Sequence, residues 1–265
     1  MPALHTMTQP RTLWVVLPAY NEEDALPPLL QAYADVRANL PDLRVLVVDD
    51  GSADRTAEVV RQFAITHPWV EVLPHPHNMG LAAAMRTGLT TAVERAHDDD
   101  LIVTMDADNT HRPAEISAMV AKLDAERLDL VIASRFRPGA KMYGIPPERQ
   151  LFSWTVSVLF GTVTPIRGVR DFSCGFRVYR AATLRKTIAL WQDQFITERG
   201  FACMTEILYK YTALPGVRSG ETPMILRYDQ KPTATKMRVW QNIKDMFRLM
   251  WTHRLNAPKP PGQSS

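Results

Sequence analysis

Along the first two thirds of the chain, short runs of aliphatic and β-branched residues alternate with longer stretches whose apolar positions recur every three or four residues. Residues 13–18 (LWVVLP), 43–49 (LRVLVVD), 69–73 (WVEVL), 101–106 (LIVTMD) and 130–134 (LVIAS) are too short to be helices and read as strands. The stretches near 22–40, 54–67, 79–97 and 113–127 carry the helical period. Such alternation predicts an α/β fold, a mostly parallel Rossmann-like sheet flanked by helices. In that architecture ligands sit outside the carboxyl ends of the strands, so the residues following each apolar run are where chemistry is expected.

The last third changes character. Residues 148–163 form a helical pattern that is apolar around most of its circumference, suited to a core or to an apolar surface. A strand is expected over 171–180, a helix near 198–212 and a strand near 217–227. Residues 236–254 place Trp240, Ile243, Phe247, Met250 and Trp251 on one helical face, with Lys244 and Arg248 off it. The expected organisation is one catalytic domain over 11–228, a basic amphipathic helix region over 229–256 packed on it, and disordered ends at 1–10 and 257–265.

Composition narrows the possibilities. With 265 residues, 46% hydrophobic and 22% charged, the chain is sized and composed for one large globular domain. No apolar run reaches the ~18–20 residues needed to span a bilayer, and the first ten residues lack the basic and apolar regions of a secretory signal. Two cysteines, Cys174 and Cys203, provide neither a disulfide framework nor paired metal spacing, which predicts a cytoplasmic protein. The net charge of +3 conceals an asymmetry: seven Lys/Arg against one acid lie beyond residue 230. That basic end suits an anionic membrane surface or a phosphorylated substrate, and no nucleic-acid partner is expected.

Four strand ends carry polar motifs: PAYNEED, DDGSADRT, DADNTHRP and SRFRPG. In an extended chain Asp106 and Asp108 point the same way, and two converging carboxylates call for a cation between them; hard oxygen donors with open positions suit Mg²⁺ or Mn²⁺ carrying substrate phosphates. At the second strand end, Asp49 or Asp50 is placed to accept from a base or ribose, Gly51 permits close backbone approach, and Ser52 or Asp54 is expected to cap the next helix. His111 reads as a helix-start residue, and His75 and His77 as loop histidines. Neither G-x-G-x-x-G nor G-x-x-x-x-G-K-[ST] occurs, which argues against dinucleotide oxidoreductases and P-loop NTPases.

Together VVLPAYNEED, VVDDGSADRT, the N-x-G of HNMGLAAAMRTG, MDADNTHRP, SRF, DFSCGFRVYR, the E-x-P of GETPM and the Lys-Met of TATKM resemble, in order and spacing, inverting family 2 glycosyltransferases of the GT-A fold. The likeness is greatest to dolichol- or polyprenyl-phosphate mannosyl- and glucosyltransferases. It implies that Pro18, Tyr20, Glu22 and Asp50 hold the nucleotide, that Asp106 and Asp108 hold the metal on its diphosphate, and that Asp108, Arg135, Asp171 and Lys236 serve catalysis. Three departures stand out. Thr110 occupies a position that is sometimes a third metal ligand, which predicts a two-carboxylate site with more water. Ala82 replaces the second glycine of N-x-G-x-G, and KPTATKM alters the residues before Lys236. Two C-terminal transmembrane helices of some relatives are missing, so membrane attachment would be peripheral.

The expected partners are a nucleotide-diphosphate sugar donor and a lipid-phosphate acceptor. A sugar hydroxyl needs a general base, whereas a polyprenyl phosphate is already ionised and needs cations, which Arg135, Arg149 and Lys236 supply. Transfer to a soluble hydroxyl acceptor, with Asp171 as base, is the alternative. More remote are a haloacid-dehalogenase-type phosphatase, because Asp106 to Thr110 also fits D-x-D-x-T, and a non-catalytic scaffold on the same fold.

Overall fold

The computed structural model describes residues 11–40, 42–145, 147–230 and 248. Five strands alternate with four helices as the hydrophobic pattern requires: β1 (Thr12–Ala19), α1 (Leu26–Val36), β2 (Asp42–Asp49), α2 (Thr56–Thr66), β3 (Val70–Pro74), α3 (Leu81–Arg95), β4 (Leu101–Thr104), α4 (Ile116–Ala125) and β5 (Leu130–Ser134). α1 starts four residues later than its apolar period suggests. Pro27 and Pro28 lack an N–H and fit only a first turn, while the Glu22 carbonyl closes the preceding turn by accepting from Ala25 and Leu26.

After β5 come β6 (Lys141–Tyr143), α5 (Pro147–Val163), β7 (Arg177–Arg180), α6 (Ala181–Trp191), α7 (Ala202–Thr212), β8 (Ser219–Pro223) and β9 (Ile225–Arg227). The strand expected over 171–180 is therefore only its last four residues. The one expected over 217–227 is two, and α6 went unforeseen. β6 and β9 pair as a separate two-stranded sheet. Of the helix expected over 236–254, only Arg248 is described, in helical conformation, and the ends at 1–10 and 257–265 lie outside the described residues.

The main sheet has seven strands in the order β3-β2-β1-β4-β7-β5-β8, all parallel except β7. Its registers align Val70, Val45, Val15, Val103, Val178 and Val131 as one row across six strands, ending at Gly220. All six valines are buried, as expected of a sheet covered on both faces. Because β7 is antiparallel, its first residue, Arg177, lies at the edge where the parallel strands end. The residues before it, 171–176, thus join the loops that follow the others. That edge carries every polar motif singled out above.

Candidate functional site

Three loops interlock on the β1–β2–β3 side. Asn21, in left-handed backbone at φ 53°, receives the Ala53 N–H on Oδ1 at 2.8 Å and donates its own N–H to Ser52 Oγ at 2.9 Å. Ser52 donates in turn to Asp49, so Ser52 ties loops together instead of capping α2; Asp54, just before the N-cap Arg55, accepts from the Thr56 N–H at 2.9 Å, and the cap itself carries no side-chain capping hydrogen bond. Gly51 is required here. It sits at φ +65°, and a Cβ would lie 2.2 Å from the His77 carbonyl carbon.

Asp50 is 3% exposed. Its carboxylate accepts from His75 Nδ1 at 2.7 Å, from the Met79 N–H at 2.9 Å and from the Gly80 N–H at 2.7 Å. His75 is thus more than a loop histidine: buried at the end of β3 and anchored on Thr87 through Nε2, it fixes Asp50 to the 75–80 loop. A carboxylate offers about four lone-pair positions, so Asp50 keeps acceptor capacity beyond these three. Tyr20, just past β1, and Met79, on the loop that holds Asp50, are exposed. Pro18 is paired with Val48 inside the sheet, and Glu22 opens the turn leading to α1.

At the β4 end, Met105 and Ala107 are buried while Asp106 and Asp108 are half-buried, so the apolar neighbours fill the core and the carboxylates face the crevice. Asp108 Oδ1 accepts from Thr110 Oγ1 at 2.7 Å and from its N–H at 3.2 Å, with Asn109 between them in left-handed backbone at φ 61°. Thr110 is therefore buried as an orienting partner of Asp108. His111 does not cap the following helix. It packs on Phe176 with ring centroids 5.4 Å apart, and its Nδ1, buried and without a hydrogen bond, lies 3.9 Å from Asp106 Oδ2. Gly175 faces the Asp106 carboxylate, whose Oδ1 would be 3.1 Å from any Cβ there. Among the described residues no group of three or more His, Cys, Asp and Glu is arranged around a metal position. Two partly open, hard carboxylates still suit a divalent ion whose other positions are filled by water and phosphate oxygens.

Across the crevice, Asp171 is fully buried and saturated. It accepts from Arg135 Nε at 2.8 Å, Arg135 Nη2 at 2.6 Å, the Arg135 N–H at 3.0 Å and the Cys174 N–H at 3.1 Å. Burial by itself would raise the Asp171 carboxyl, but the charge and hydrogen bonds of Arg135 outweigh it and hold the group below its usual range. Arg135 stays charged against its own burial through Asp171, with a smaller contribution from Asp106, and it also donates to Ser173 Oγ at 2.6 Å. Arg177 is buried and holds the 171–176 loop to α7 through the Met204 and Phe172 carbonyls. Cys174 is buried, and that burial pushes its thiol up to about 12, leaving it inert. Lys236 lies outside the described residues, as does the side chain of Arg149.

Several contributors carry no motif. Glu206 accepts from the Thr197 N–H, Thr197 Oγ1, the Glu198 N–H and Lys210 Nζ, forming a buried i,i+4 pair that pins the loop before α7. Arg86 of α3 holds the same loop through the Asp193 and Ile196 carbonyls. Four-residue spacing of Glu206 and Lys210 is the one sequence signal among these.

The sequence matches the family model described as glycosyl transferase family 2 over residues 14–188. It is 36% identical over 210 residues to an undecaprenyl-phosphate mannosyltransferase of Micrococcus luteus, covering 79% of this chain and 81% of the relative. A polyprenol monophosphomannose synthase of Mycolicibacterium smegmatis is 35% identical over 186 residues, 70% of this chain and 67% of the relative. In three dimensions the chain is similar to glucosyl-3-phosphoglycerate synthase of Mycobacterium tuberculosis, crystallised with Mn²⁺, uridine diphosphate and phosphoglyceric acid. The TM-score is 0.64 at 20% identity, covering 94% of this chain and 80% of that one, a likeness of fold.

Proposed function

Because the chain belongs to glycosyl transferase family 2 and is a glycosyltransferase, we propose that it moves a sugar from a nucleotide-diphosphate donor to a polyprenyl-phosphate type acceptor with the help of Mg²⁺ or Mn²⁺. The donor lies in the crevice at the β1, β2 and β4 ends. Asp50 and Glu22 accept from base or ribose, and Pro18 and Tyr20 line the approach. Asp106 and Asp108 would hold the metal, which neutralises charge on the departing diphosphate.

The observation that carries the acceptor assignment is the state of Asp171. Four hydrogen bonds and a lowered pKa make it a poor base for a sugar hydroxyl, and Glu206 is likewise engaged by its own loop and Lys210. The same interactions present Arg135 as a fixed cation. A phosphate monoester, with its second pKa near ~6, arrives already ionised and needs that cation and no base. Arg135, and Lys236 with it, would then position the acceptor oxygen against the anomeric carbon.

α5 supports the same reading. Phe160 anchors its inner side against Phe172, whereas Trp154, Thr155, Val158 and Thr162 are exposed on the outer one. Exposed Arg167 and Arg170 follow, a combination suited to an anionic lipid surface. No described helix is long and apolar enough to cross a membrane. The test offers a panel of nucleotide sugars with Mn²⁺ and either a short polyprenyl phosphate, the matching polyprenol or soluble sugars, reading the product and the released nucleoside diphosphate. Transfer to the phosphate alone is expected; efficient transfer to a soluble hydroxyl would replace the acceptor assignment.

A further inference from the structure

A second buried carboxylate, with its own arginine, holds the loop of Asp171 from β8. Glu221, of the E-x-P motif on β8, has a fully buried side chain. Its Oε1 accepts from the Arg170 N–H at 2.6 Å and the Asp171 N–H at 2.7 Å, and its Oε2 accepts from Arg137 Nε at 2.9 Å. Arg137 Nη2 reaches the Gly168 carbonyl at 3.3 Å. Residues 170 and 171 are thus gripped from both sides: Asp171 holds Arg135, and Glu221 holds both the peptide that carries Asp171 and Arg137.

The two arginines share a pattern. Each spends its Nε and Nη2 on the protein, and among the described residues Nη1 of neither makes a protein hydrogen bond. The Arg135 side chain is 18% exposed and that of Arg137 30%, so both keep some solvent contact, and Arg137 lies against the 168–170 segment between the exposed Arg167 and Arg170. A phosphate monoester dianion has three terminal oxygens and nearly two charges, more than one guanidinium edge satisfies. We propose that Arg137 is a second cation for the acceptor phosphate beside Arg135, and that Glu221 is the positioning residue that aims it. Burial raises the Glu221 carboxyl, and the Asp171 charge adds to this, against the opposing pull of its two backbone donors and of Arg137. Glu221 does not touch the substrate; it acts through Arg137 and through the 170–171 peptide.

This inference rests on the phosphate-acceptor reading, and the experiment separates the two. Binding of a short prenyl monophosphate, and of the corresponding prenyl alcohol, is measured by calorimetry for the wild type, Arg137→Ala, Glu221→Gln and the double variant. Binding of a nucleoside diphosphate with Mn²⁺ is measured alongside. Gln at 221 can keep an oxygen toward the two backbone N–H groups but turns its amide donors toward Arg137, so it breaks only that link. Each single variant should weaken the monophosphate about tenfold, the double no further, with nucleotide binding unchanged. Wild-type affinity in Arg137→Ala would overturn the second cation. Additive losses, or a parallel loss of nucleotide binding in Glu221→Gln, would reduce Glu221 to a purely structural role. A wild type that binds alcohol as tightly as monophosphate, or neither, would remove the acceptor reading and this site with it.

Discussion

Thr110 holds Asp108 by two hydrogen bonds to one oxygen, which fixes how the carboxylate is turned at the β4 end. Asp108→Asn keeps that geometry and loses only charge, so its fold should be intact while turnover falls by about 10²-fold or more. Thermal unfolding with nucleoside diphosphate and Mn²⁺ checks it: the wild type should be stabilised by ligand and the variant should not. Glu115 makes a different prediction. Burial pushes its carboxyl up to about 7, against the opposing Ile225 N–H and Arg112, and its Oε2 has no hydrogen bond. Folded Glu115 therefore binds its proton more tightly than the unfolded chain does. The stability this gives is fully present below the unfolded value near ~4.5, and is lost as pH rises toward 7. Discounted for partial exposure, the loss is about 1 kcal/mol. Glu115→Gln should accordingly melt higher than the wild type at pH 8 and no higher at pH 4.5.

Between elements, the Arg135–Asp171 clamp joins the end of β5 to the loop before β7. Arg135→Ala would strand a buried carboxylate, and a loss of about 3–5 kcal/mol is expected in denaturant unfolding. The folded Asp171 pKa lies below the unfolded one, so this clamp stabilises above the unfolded carboxylate range and fails as pH falls through the folded value. Acid unfolding should thus begin at higher pH in Arg135→Ala than in the wild type. This clamp also shows what the sequence could and could not disclose. Both residues were legible as site members, Arg135 from a strand end, SRFRPG, and Asp171 through the resemblance carried by DFSCGFRVYR. Their mutual neutralisation was not, because it depends on β7 running antiparallel between β4 and β5, a pairing no periodicity reveals. For the same reason 171–180 read as one strand: Phe172, Cys174 and Phe176 alternate like strand residues but are buried in a loop packed against α7 and α5. α6 is as long as α1 and α2, but its buried face, Ala181, Leu184, Thr187 and Trp191, is thin and includes a threonine, whereas β1 to β5, mostly apolar runs with turn signals, were plain. His75 and Glu221 looked ordinary because their importance lies in partners 25 and 50 residues away.

For the molecule as a whole, the exposed α5 face and the arginines beyond it predict co-sedimentation with vesicles rich in anionic lipid. Trp154→Ser should weaken it several-fold, and raised salt should weaken it further. Neutral vesicles should bind poorly; equal binding to both would show that the arginines contribute nothing. The antiparallel strand gives this molecule a final property. β7 is a seam: on one side β3, β2, β1 and β4 end in the loops assigned to the nucleotide, and on the other β5 and β8 end in the arginines and acids assigned to the acceptor. Across it the metal motif and the residues after it meet the other side at Asp106 with Gly175, at His111 with Phe176, at the Thr110 carbonyl with the Arg227 N–H and at Glu115 with the Ile225 N–H. Loops on the acceptor side can therefore lengthen, shorten or exchange residues with little effect on donor binding, provided Gly175 stays small and the contacts of Phe176, Ile225 and Arg227 with the metal motif and the residues after it are kept. Such a sheet lets a lineage change what receives the sugar while inheriting unchanged the machinery that delivers it.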